Sequence, residues 1–184
     1  MSKHENPMAI RSKVALTSAL LKLMMSRGFD EISVSDITDK AGLSRQTFYT
    51  NFGKREDILD YLLAGLFEGF TAKIEQARMQ PSNLIIDYLL YWDSNKSFLS
   101  LLFAHGMGHM FQAKNREYFM ESAEILDGMY TSENWQLPYI KASLSGLTYE
   151  LLWMWIMNDQ GLGIDVLSAL AENLLSGRIF AEAE

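Results

Sequence analysis

Cysteine is absent from all 184 residues of the sequence. This absence excludes disulfide bonds and thiolate chemistry, and it is typical of proteins that fold in a reducing compartment, so we expect a cytoplasmic location. Apolar runs of the length that a bilayer requires are also missing, and the polar residues 1–8 do not have the pattern of a signal peptide. We therefore expect no membrane partner.

Proline is scarce: the chain has three, and none interrupts a long periodic segment. Alternating runs with hairpin signals are missing, whereas apolar residues recur at helical spacing along most of the chain. The sequence therefore predicts an all-α protein with an N-terminal three-helix head, residues 1–53, and a helical C-terminal body, residues 54–184.

Residue sets that support catalysis are missing too. No Ser/His/Asp set, paired-carboxylate site or glycine-rich phosphate loop occurs at a usable spacing. His105 and His109 have the spacing of two metal ligands on one helix face, but Gly106 and Gly108 argue against a regular helix there. We predict that the chain is not an enzyme and has no cofactor, no catalytic residues and no metal site.

The chain has fewer basic than acidic residues, and its formal net charge is -7. The charge is distributed unevenly between the two ends of the chain. Residues 1–57 carry a net charge of +2 and residues 58–184 a net charge of -9. An acidic body repels phosphate, so only the N-terminal end is suited to face nucleic acid. The mild charge of +2 does not by itself indicate DNA binding.

Local signals set the expected helix boundaries. Pro7 suits the first turn of a helix that we extend to about Arg27, and Gly28 is expected to end it in the left-handed conformation. The residues predicted to form the inner stripe of this helix are Ile10, Val14, Thr17, Leu21 and Met24.

Further helices are expected in the rest of the chain. A long helix is predicted from about Lys54 to Arg78, with an inner face formed by Ile58, Leu62, Leu66 and Ile74. Beyond Pro81 we place helices near residues 82–93, 95–104, 109–130, 137–158 and 164–180.

Residues 33–52 have the features of a helix-turn-helix. Ser33 and Asp36 form an expected capping box at the start of a helix that ends at Ala41, and Gly42 is expected in the left-handed turn. Ser44 then caps a second short helix, Arg45–Asn51. In such motifs the N-terminal part of the second helix reads base edges in the major groove.

The same region resembles the N-terminal signature of the TetR (tetracycline-repressor-like) family. The matching residues extend over residues 8–59 and are Gly28-Phe29, Ser33-Val34, Asp36-Ile37, Ala41-Gly42-Leu43-Ser44, Thr47-Phe48-Tyr49, Phe52 and Arg55-Glu56. Arg55 stands where the family usually has lysine, and Lys54 lies beside it. The resemblance implies a homodimeric transcription regulator that binds double-stranded operator DNA, most often as a repressor, with a body that often binds a small effector.

The family resemblance and the chemistry of the side chains together predict which residues contact DNA. Arginine recognises guanine, glutamine and asparagine recognise adenine, and the tyrosine, lysine and second arginine are expected on phosphate. The predicted DNA-binding residues are Ser33, Ser44, Arg45, Gln46, Thr47, Tyr49, Thr50, Asn51, Lys54 and Arg55.

The body contains many aromatic and methionine residues, which pack cores but also line permissive apolar pockets. We predict a pocket for an uncharged or weakly acidic effector of drug-like size. Its predicted lining residues are Phe98, Phe103, His105, Met107, Phe111, Asn115, Tyr118, Tyr149 and Trp153.

Several alternatives stay open at this point. The chain is interpreted as a repressor, but an activator or a regulator controlled by a partner protein fits the same signature. A helical binding protein or enzyme with a purely structural helix-turn-helix is the alternative from another class. The last two helices are expected to form the dimer interface, and the sequence does not decide which of their apolar bands faces the partner.

Overall fold

The computed structural model of the chain is described here for residues 6–77, 84–121, 135–158 and 161–176. Within these ranges the regular structure is helical and contains no strand. The helices are α1 (Pro7–Met24), α2 (Val34–Ala41), α3 (Arg45–Asn51), α4 (Glu56–Ala77), α5 (Leu84–Ser94), α6 (Lys96–Ala104), α7 (Gly108–Glu121), α8 (Leu137–Met157) and α9 (Ile164–Leu175), with a short 3-10 helix at Phe29–Glu31.

The chain divides into two compact units, Met1–Leu66 and Phe67–Glu184, so their boundary lies within α4. The separation of head and body after residue 53 stays a prediction. The ends that we expected for the helices near 109–130 and 164–180 lie outside the described residues, as does Pro81. None of the described helices is long and apolar enough to cross a membrane.

The N-terminal unit is built on α1, α2 and α3, which pack against one another in pairs. Its fully buried side chains include Leu16 and Leu20 of α1, Ile37 of α2 and Phe48 of α3. Burying an aliphatic or aromatic side chain of this size stabilises a fold by about 1.5–3 kcal/mol. These four residues therefore fix how the three helices cross.

The predicted inner stripe of α1 is partly wrong. Thr17 and Met24 are buried, but Ile10 and Val14 are 41% and 57% exposed. The apolar residues of α1 follow more than one helical stripe, and packing against α2 and α3 selects the stripe that contains Leu16 and Leu20. Helical periodicity predicted the helix but did not identify its inner face.

The predicted left-handed cap at Gly28 is also wrong. The φ angle of Gly28 is −57°, and Gly28 precedes the 3-10 helix rather than closing α1. α1 ends at Met24, and Met25 keeps a right-handed conformation, so no reversal of φ is needed there. The chain leaves the helix through a turn over residues 25–27.

In α4 the buried face differs from the predicted one by about one position. Ile58 and Ile74 are buried as expected, whereas Leu62 and Leu66 are only half-buried. The side chains that share the buried face with Ile58 and Ile74 are Leu59, Leu63, Phe67 and Phe70.

The second unit has α7 and α8 side by side, with α6 and α5 also against α8 and α9 against both α5 and α8. A cluster of aromatic rings fills its interior, and we call it the aromatic cluster. Its members, each within about 6.4 Å of another ring centre, are Phe67, Phe70, Tyr88, Tyr91, Trp92, Phe103, Phe111, Tyr118, Phe119 and Tyr149.

Candidate nucleic-acid interface

A capping box begins α2, as the sequence predicts. The Ser33 Oγ accepts from the Asp36 amide at 3.1 Å, and the Asp36 Oδ2 accepts from the Ser33 amide at 2.8 Å. Hydrogen bonds from the Ser33 side chain and backbone, with a smaller contribution from Arg27, lower the pKa of Asp36 from 3.8 to about 2. The contribution of this carboxylate to stability is therefore present above pH 3.8 and lost as the pH falls through 2.

Arg27 was not among the residues singled out by sequence. Its Nη1 lies 3.2 Å from the Asp36 Oδ1, so the segment that follows α1 is tied to the first turn of α2. Both side chains are about one-third exposed, and an exposed ion pair of this kind contributes little by itself. Its role is to orient the carboxylate that caps α2.

The turn between α2 and α3 depends on Gly42. Its φ angle is +66°, in the left-handed region that glycine adopts at little cost, and its amide donates back to the end of α2. Among the described residues other than its chain neighbours, no atom lies within 4 Å of the position that a Cβ would take. The requirement for glycine here is therefore conformational rather than steric.

The helix α3 is fixed at its start and along its inner face. The Ser44 Oγ accepts from the Thr47 amide at 3.0 Å, and the Ser44 and Thr47 hydroxyls are 2.9 Å apart. Phe48 is fully buried and packs against Phe52, with ring centres 6.1 Å apart. Anchoring on this side leaves the opposite side of α3 exposed to solvent.

The exposed side of α3 presents Arg45, Gln46 and Tyr49. Tyr49 is 54% exposed, and its ring packs edge-on against the Phe48 ring, with ring centres 5.2 Å apart. Within the described part of the chain, the side chains of Arg45 and Gln46 make no hydrogen bond or ion pair. All three are thus available to a partner.

Two other residues that were predicted to contact DNA make side-chain hydrogen bonds to the backbone of α3. The Thr50 Oγ1 donates to the Gln46 carbonyl at 2.9 Å, and the Asn51 Nδ2 donates to the Thr47 carbonyl at 2.7 Å. Asn51 is also half-buried. These side chains contribute to the end of α3, and their predicted DNA contact stays a prediction.

Lys54 and Arg55 differ although they are neighbours. Lys54 is exposed, whereas the Arg55 Nη1 donates to the carbonyls of Phe29, at 2.9 Å, and Ile32. The guanidinium also lies 4.8 Å from the centre of the Phe29 ring. In the free chain Arg55 therefore holds the N-terminal unit together, and its predicted phosphate contact stays a prediction.

The start of α4 is stabilised by Asp57, another residue that the sequence analysis missed. Its Oδ2 accepts from the amides of Gly53 and Lys54 at 2.8 and 3.0 Å. The signal was available, since an acidic residue in the first turn of a helix commonly accepts from free backbone amides. Asp57 positions the exposed Lys54 just beyond α3.

The structure places only some of the predicted effector residues together. Phe103, Phe111 and Tyr149 contact one another, with ring centres 5.9–6.2 Å apart. Tyr118 belongs to the same aromatic cluster through Phe67, at 5.4 Å. The remaining predicted residues occupy other surroundings, with Trp153 37% exposed, Phe98, His105 and Met107 half-buried, and Asn115 fully buried.

Asn115 makes hydrogen bonds to two neighbouring helices. Its Nδ2 donates to the Ser145 carbonyl at 2.8 Å and to the Thr148 Oγ1 at 3.1 Å, and its Oδ1 accepts from the Tyr88 hydroxyl. Burial raises the pKa of Tyr88 well above its ordinary value, so this hydroxyl remains a donor. Asn115 thereby joins α5, α7 and α8.

The two histidines do not form part of a metal site in the described residues. His105 is half-buried at the end of α6, and the exposed His109 has its Nδ1 3.3 Å from the Gly106 carbonyl. Over residues 6–77, 84–121, 135–158 and 161–176, no group of three or more potential ligand side chains gathers. The φ angle of Gly106 is +71°, so the helical spacing of the two histidines is interrupted.

Comparisons with known proteins agree with this geometry. Residues 16–62 match the sequence model of the bacterial regulatory proteins of the tetR family. The fatty acid metabolism regulator protein of Bacillus subtilis (strain 168) is 27% identical over 181 residues, which covers 88% of this chain and 93% of that protein.

Two further comparisons extend the likeness. The dhaKLM operon transcriptional activator DhaS of Lactococcus lactis is 31% identical over 96 residues, 52% of this chain and 50% of that protein. The structure of the transcriptional regulator FadR from Bacillus subtilis, solved with stearoyl-CoA, has a TM-score of 0.60 at 22% identity and covers 88% of this chain and 96% of that one.

The segment that contains α2, the glycine turn and α3 thus lies within the match to bacterial regulatory proteins, and the relatives that match more of the chain are named as regulators. Residues 16–62 therefore form a DNA-binding domain of the tetR-family type, and over most of its length the chain is similar to a regulator protein.

Proposed function

We propose that the chain represses transcription as a homodimer, and that a small amphipathic effector bound in the body releases it from operator DNA. The observation that carries the DNA part of this proposal is the outer side of α3, where Arg45, Gln46 and Tyr49 are exposed on a helix that is anchored from within by Phe48. A rigid helix with exposed polar side chains at its N-terminal end suits the major groove.

Different side chains have different expected roles on DNA. Arg45 and Gln46 lie in the first turn of α3, where side chains reach base edges. Tyr49 and Lys54 are exposed further along and are suited to phosphate, which positions the protein without reading sequence. Arg55 would act indirectly, by holding the unit that presents α3, because its guanidinium is engaged with backbone carbonyls.

Alanine substitutions test these roles. Arg45→Ala and Gln46→Ala are each expected to cost about 1–3 kcal/mol of operator binding and to relax base preference at particular positions. Tyr49→Ala and Lys54→Ala are expected to weaken binding to all sequences, and Lys54→Ala to lower the salt dependence by about one unit of slope. The measurement is a binding titration on operator DNA selected from random sequence, at several salt concentrations.

Lys114→Ala in the body is the matched control for these variants, since Lys114 is a partly exposed lysine paired with Glu117. It is expected to bind operator like the parent chain. If all four variants of the first unit also bind like the parent, α3 does not contact DNA and the proposal is wrong.

The effector part of the proposal rests on the aromatic cluster and on the relatives. The Bacillus subtilis FadR structure contains stearoyl-CoA, and the relative that is 27% identical over 181 residues is named as a regulator of fatty acid metabolism. A cluster of adaptable rings that includes Phe103, Phe111 and Tyr149 is suited to surround an apolar group. Binding would shift the body between two states, and effector and operator would weaken each other by the same factor.

The homodimer is supported by apolar side chains of α8, α9 and the segment between them that are exposed in the described part of the chain. Met154, Met157, Leu162, Val166 and Leu170 are between 39% and 50% exposed. A groove of about 190 Å³ lies between the two helices and is lined by Leu151, Met154, Trp155, Asn158, Leu162, Leu167 and Leu170. Contiguous exposed apolar surface of this kind marks an interaction site, and a two-fold pair is the usual closed assembly.

Leu170→Glu is expected to convert the dimer to a monomer. Because Leu170 is 39% exposed in the single chain, a charge there costs the fold little but would be desolvated in a dimer interface. Sedimentation at micromolar concentration measures the change, and the helical circular dichroism signal is expected to stay constant. Glu172→Gln, on a more polar part of α9, serves as the control and is expected to remain dimeric.

A parent chain that sediments as a monomer would overturn the dimer proposal. If the Leu170→Glu variant remains dimeric, Leu170 is not in the interface, and the interface must lie on another face of α8 or α9.

Activation is the second candidate function. The Lactococcus relative is named as a transcriptional activator, and its match covers half of this chain. A reporter gene under the selected operator distinguishes the two signs of regulation: deletion of the regulator raises transcription if the chain is a repressor and lowers it if the chain is an activator.

A further inference from the structure

The body contains a buried lysine that no acidic side chain among the described residues neutralises. Lys141 of α8 is 5% exposed, and its Nζ donates to the Met120 carbonyl of α7 at 3.3 Å. In the part of the chain that the structure describes, Lys141 makes no ion pair. An ammonium group has three donors, and the described residues supply it with one acceptor at 3.3 Å.

Lys141 lies at one end of a polar face where α7 and α8 meet. Ser145 and Thr148, one and two turns further along α8, are buried on the same side. Asn115 of α7 faces Ser145 and Thr148, and Met120 of α7 faces Lys141, so the two helices run antiparallel. The ammonium is therefore located inside the body, at the seam between these helices.

Apart from the ammonium of Lys141, this face is satisfied internally. Thr148 donates to the Leu144 carbonyl at 2.8 Å and accepts from Asn115, which is itself fully bonded. Lysines are almost never buried without a charged partner, because removing the ammonium from water is unfavourable unless another group compensates it. Lys141 is the one charged residue among the buried side chains of the described residues.

We propose that Lys141 binds the negatively charged group of the effector. This inference rests on the proposed function, in which the body holds an amphipathic effector, and it specifies the chemistry of that molecule. An anion at Nζ would supply the missing charge and acceptors, and a hydrogen bond between two charged groups is stronger than one between neutral groups.

The apolar part of the effector is expected to extend towards the aromatic cluster. Tyr149 lies eight residues after Lys141 on α8, which corresponds to about 12 Å along the helix. Tyr149 contacts Phe111 of α7, and the internally bonded Asn115, Ser145 and Thr148 lie between these rings and Lys141, so the apolar part would pass beside the seam rather than along it. This arrangement fits a molecule with one anionic end and an apolar chain or ring system at about that distance.

The charge of the body disfavours more than a small negative charge on the part of the effector that is buried near Lys141. Residues 58–184 carry 16 acidic and 7 basic side chains, so their summed potential opposes anions except close to a basic group. One buried ammonium compensates one negative charge. The group of the effector that reaches Lys141 is therefore expected to carry one negative charge, with a carboxylate as its simplest form.

The test compares decanoate with 1-decanol, two probes with the same apolar chain and different head groups. Fluorescence or calorimetric titration of the full-length parent is expected to give a Kd for decanoate about tenfold to a hundredfold lower than for decanol. Lys141→Met, which keeps the length of the side chain without its charge, is expected to bind both probes equally. Lys141→Arg is expected to retain a preference for decanoate.

Folding of the variants is checked independently, because Lys141→Met removes a buried charge and is expected to melt at the same temperature as the parent or higher. Lys114→Met, at a partly exposed lysine on α7, is the matched control and is expected to keep the parent's preference. A folded Lys141→Met variant that still prefers decanoate overturns the proposal, as does a parent with no preference.

Operator binding is measured on the same ligand-free samples, so failure of the two proposals can be separated. Loss of operator binding in the parent would remove the proposed function, whereas the decanoate preference reports on Lys141 alone.

Discussion

Phe48→Ala is expected to unfold the DNA-binding unit. The Phe48 ring is fully buried beneath α3 and contacts Tyr49 and Phe52. Replacing a buried phenylalanine by alanine costs about 3–5 kcal/mol, which is comparable to the whole stability of a small domain, about 5–15 kcal/mol. Operator binding is expected to fall below detection, and urea denaturation followed by circular dichroism measures the loss of stability.

Tyr49→Phe is the matched control for Phe48→Ala because it alters the next residue on the same helix without removing a ring. Tyr49 is 54% exposed, so the free energy of unfolding is expected to change by less than about 0.5 kcal/mol while operator binding weakens through loss of the hydroxyl. A Phe48→Ala variant with an unchanged denaturation midpoint would show that α3 is not held by this ring.

Asn115→Ala is expected to destabilise the body by about 2–5 kcal/mol. Removing the amide leaves the buried Tyr88 hydroxyl without its acceptor and takes a donor from Ser145 and Thr148. It also leaves a cavity between three helices. Thermal and urea denaturation of the full-length chain measure the effect, with near-ultraviolet circular dichroism reporting on the aromatic cluster.

A double-mutant cycle with Tyr88→Phe separates the hydrogen bond from the cavity. Since Tyr88→Phe removes the hydroxyl that Asn115→Ala would strand, the double variant is expected to be more stable than the sum of the single changes predicts. Strictly additive effects would mean that Tyr88 and Asn115 are not energetically coupled, contrary to their direct contact.

The helix-turn-helix was predictable because its determinants are local. Ser33 with Asp36, Gly42 and Ser44 specify caps and a turn through interactions within four residues, and each adopts the expected geometry. Local rules of this kind do not depend on what the rest of the chain does.

Features that involve distant residues were not predictable in the same way. The exposed Val14 and the buried Leu16 lie on one helix, and only packing against α2 and α3 decides between them. Arg55 bonds to carbonyls 23 and 26 residues earlier, which no local pattern encodes. The sequence therefore indicated that Arg55 contacts DNA. In the structure its guanidinium instead donates to backbone carbonyls within the N-terminal unit.

The body shows the same limit. Asn115 was expected to line a pocket because it is polar among apolar residues, yet its hydrogen bonds are made within the fold. Lys141 received no attention in the sequence because a lysine in a helix is usually on the surface. Burial of these two residues depends on how α7 and α8 align, and residue periodicity does not contain that alignment.

The hydrogen bonds of Asn115 also restrict how the body can move. Sliding α8 along α7 by one turn, about 5.4 Å, would separate the amide from Ser145 and Thr148 and would leave polar groups unpaired in an apolar interior. The two helices therefore have a single permitted register. Any rearrangement that an effector produces in this unit must therefore move α7 and α8 together as one rigid body. It cannot slide one helix along the other.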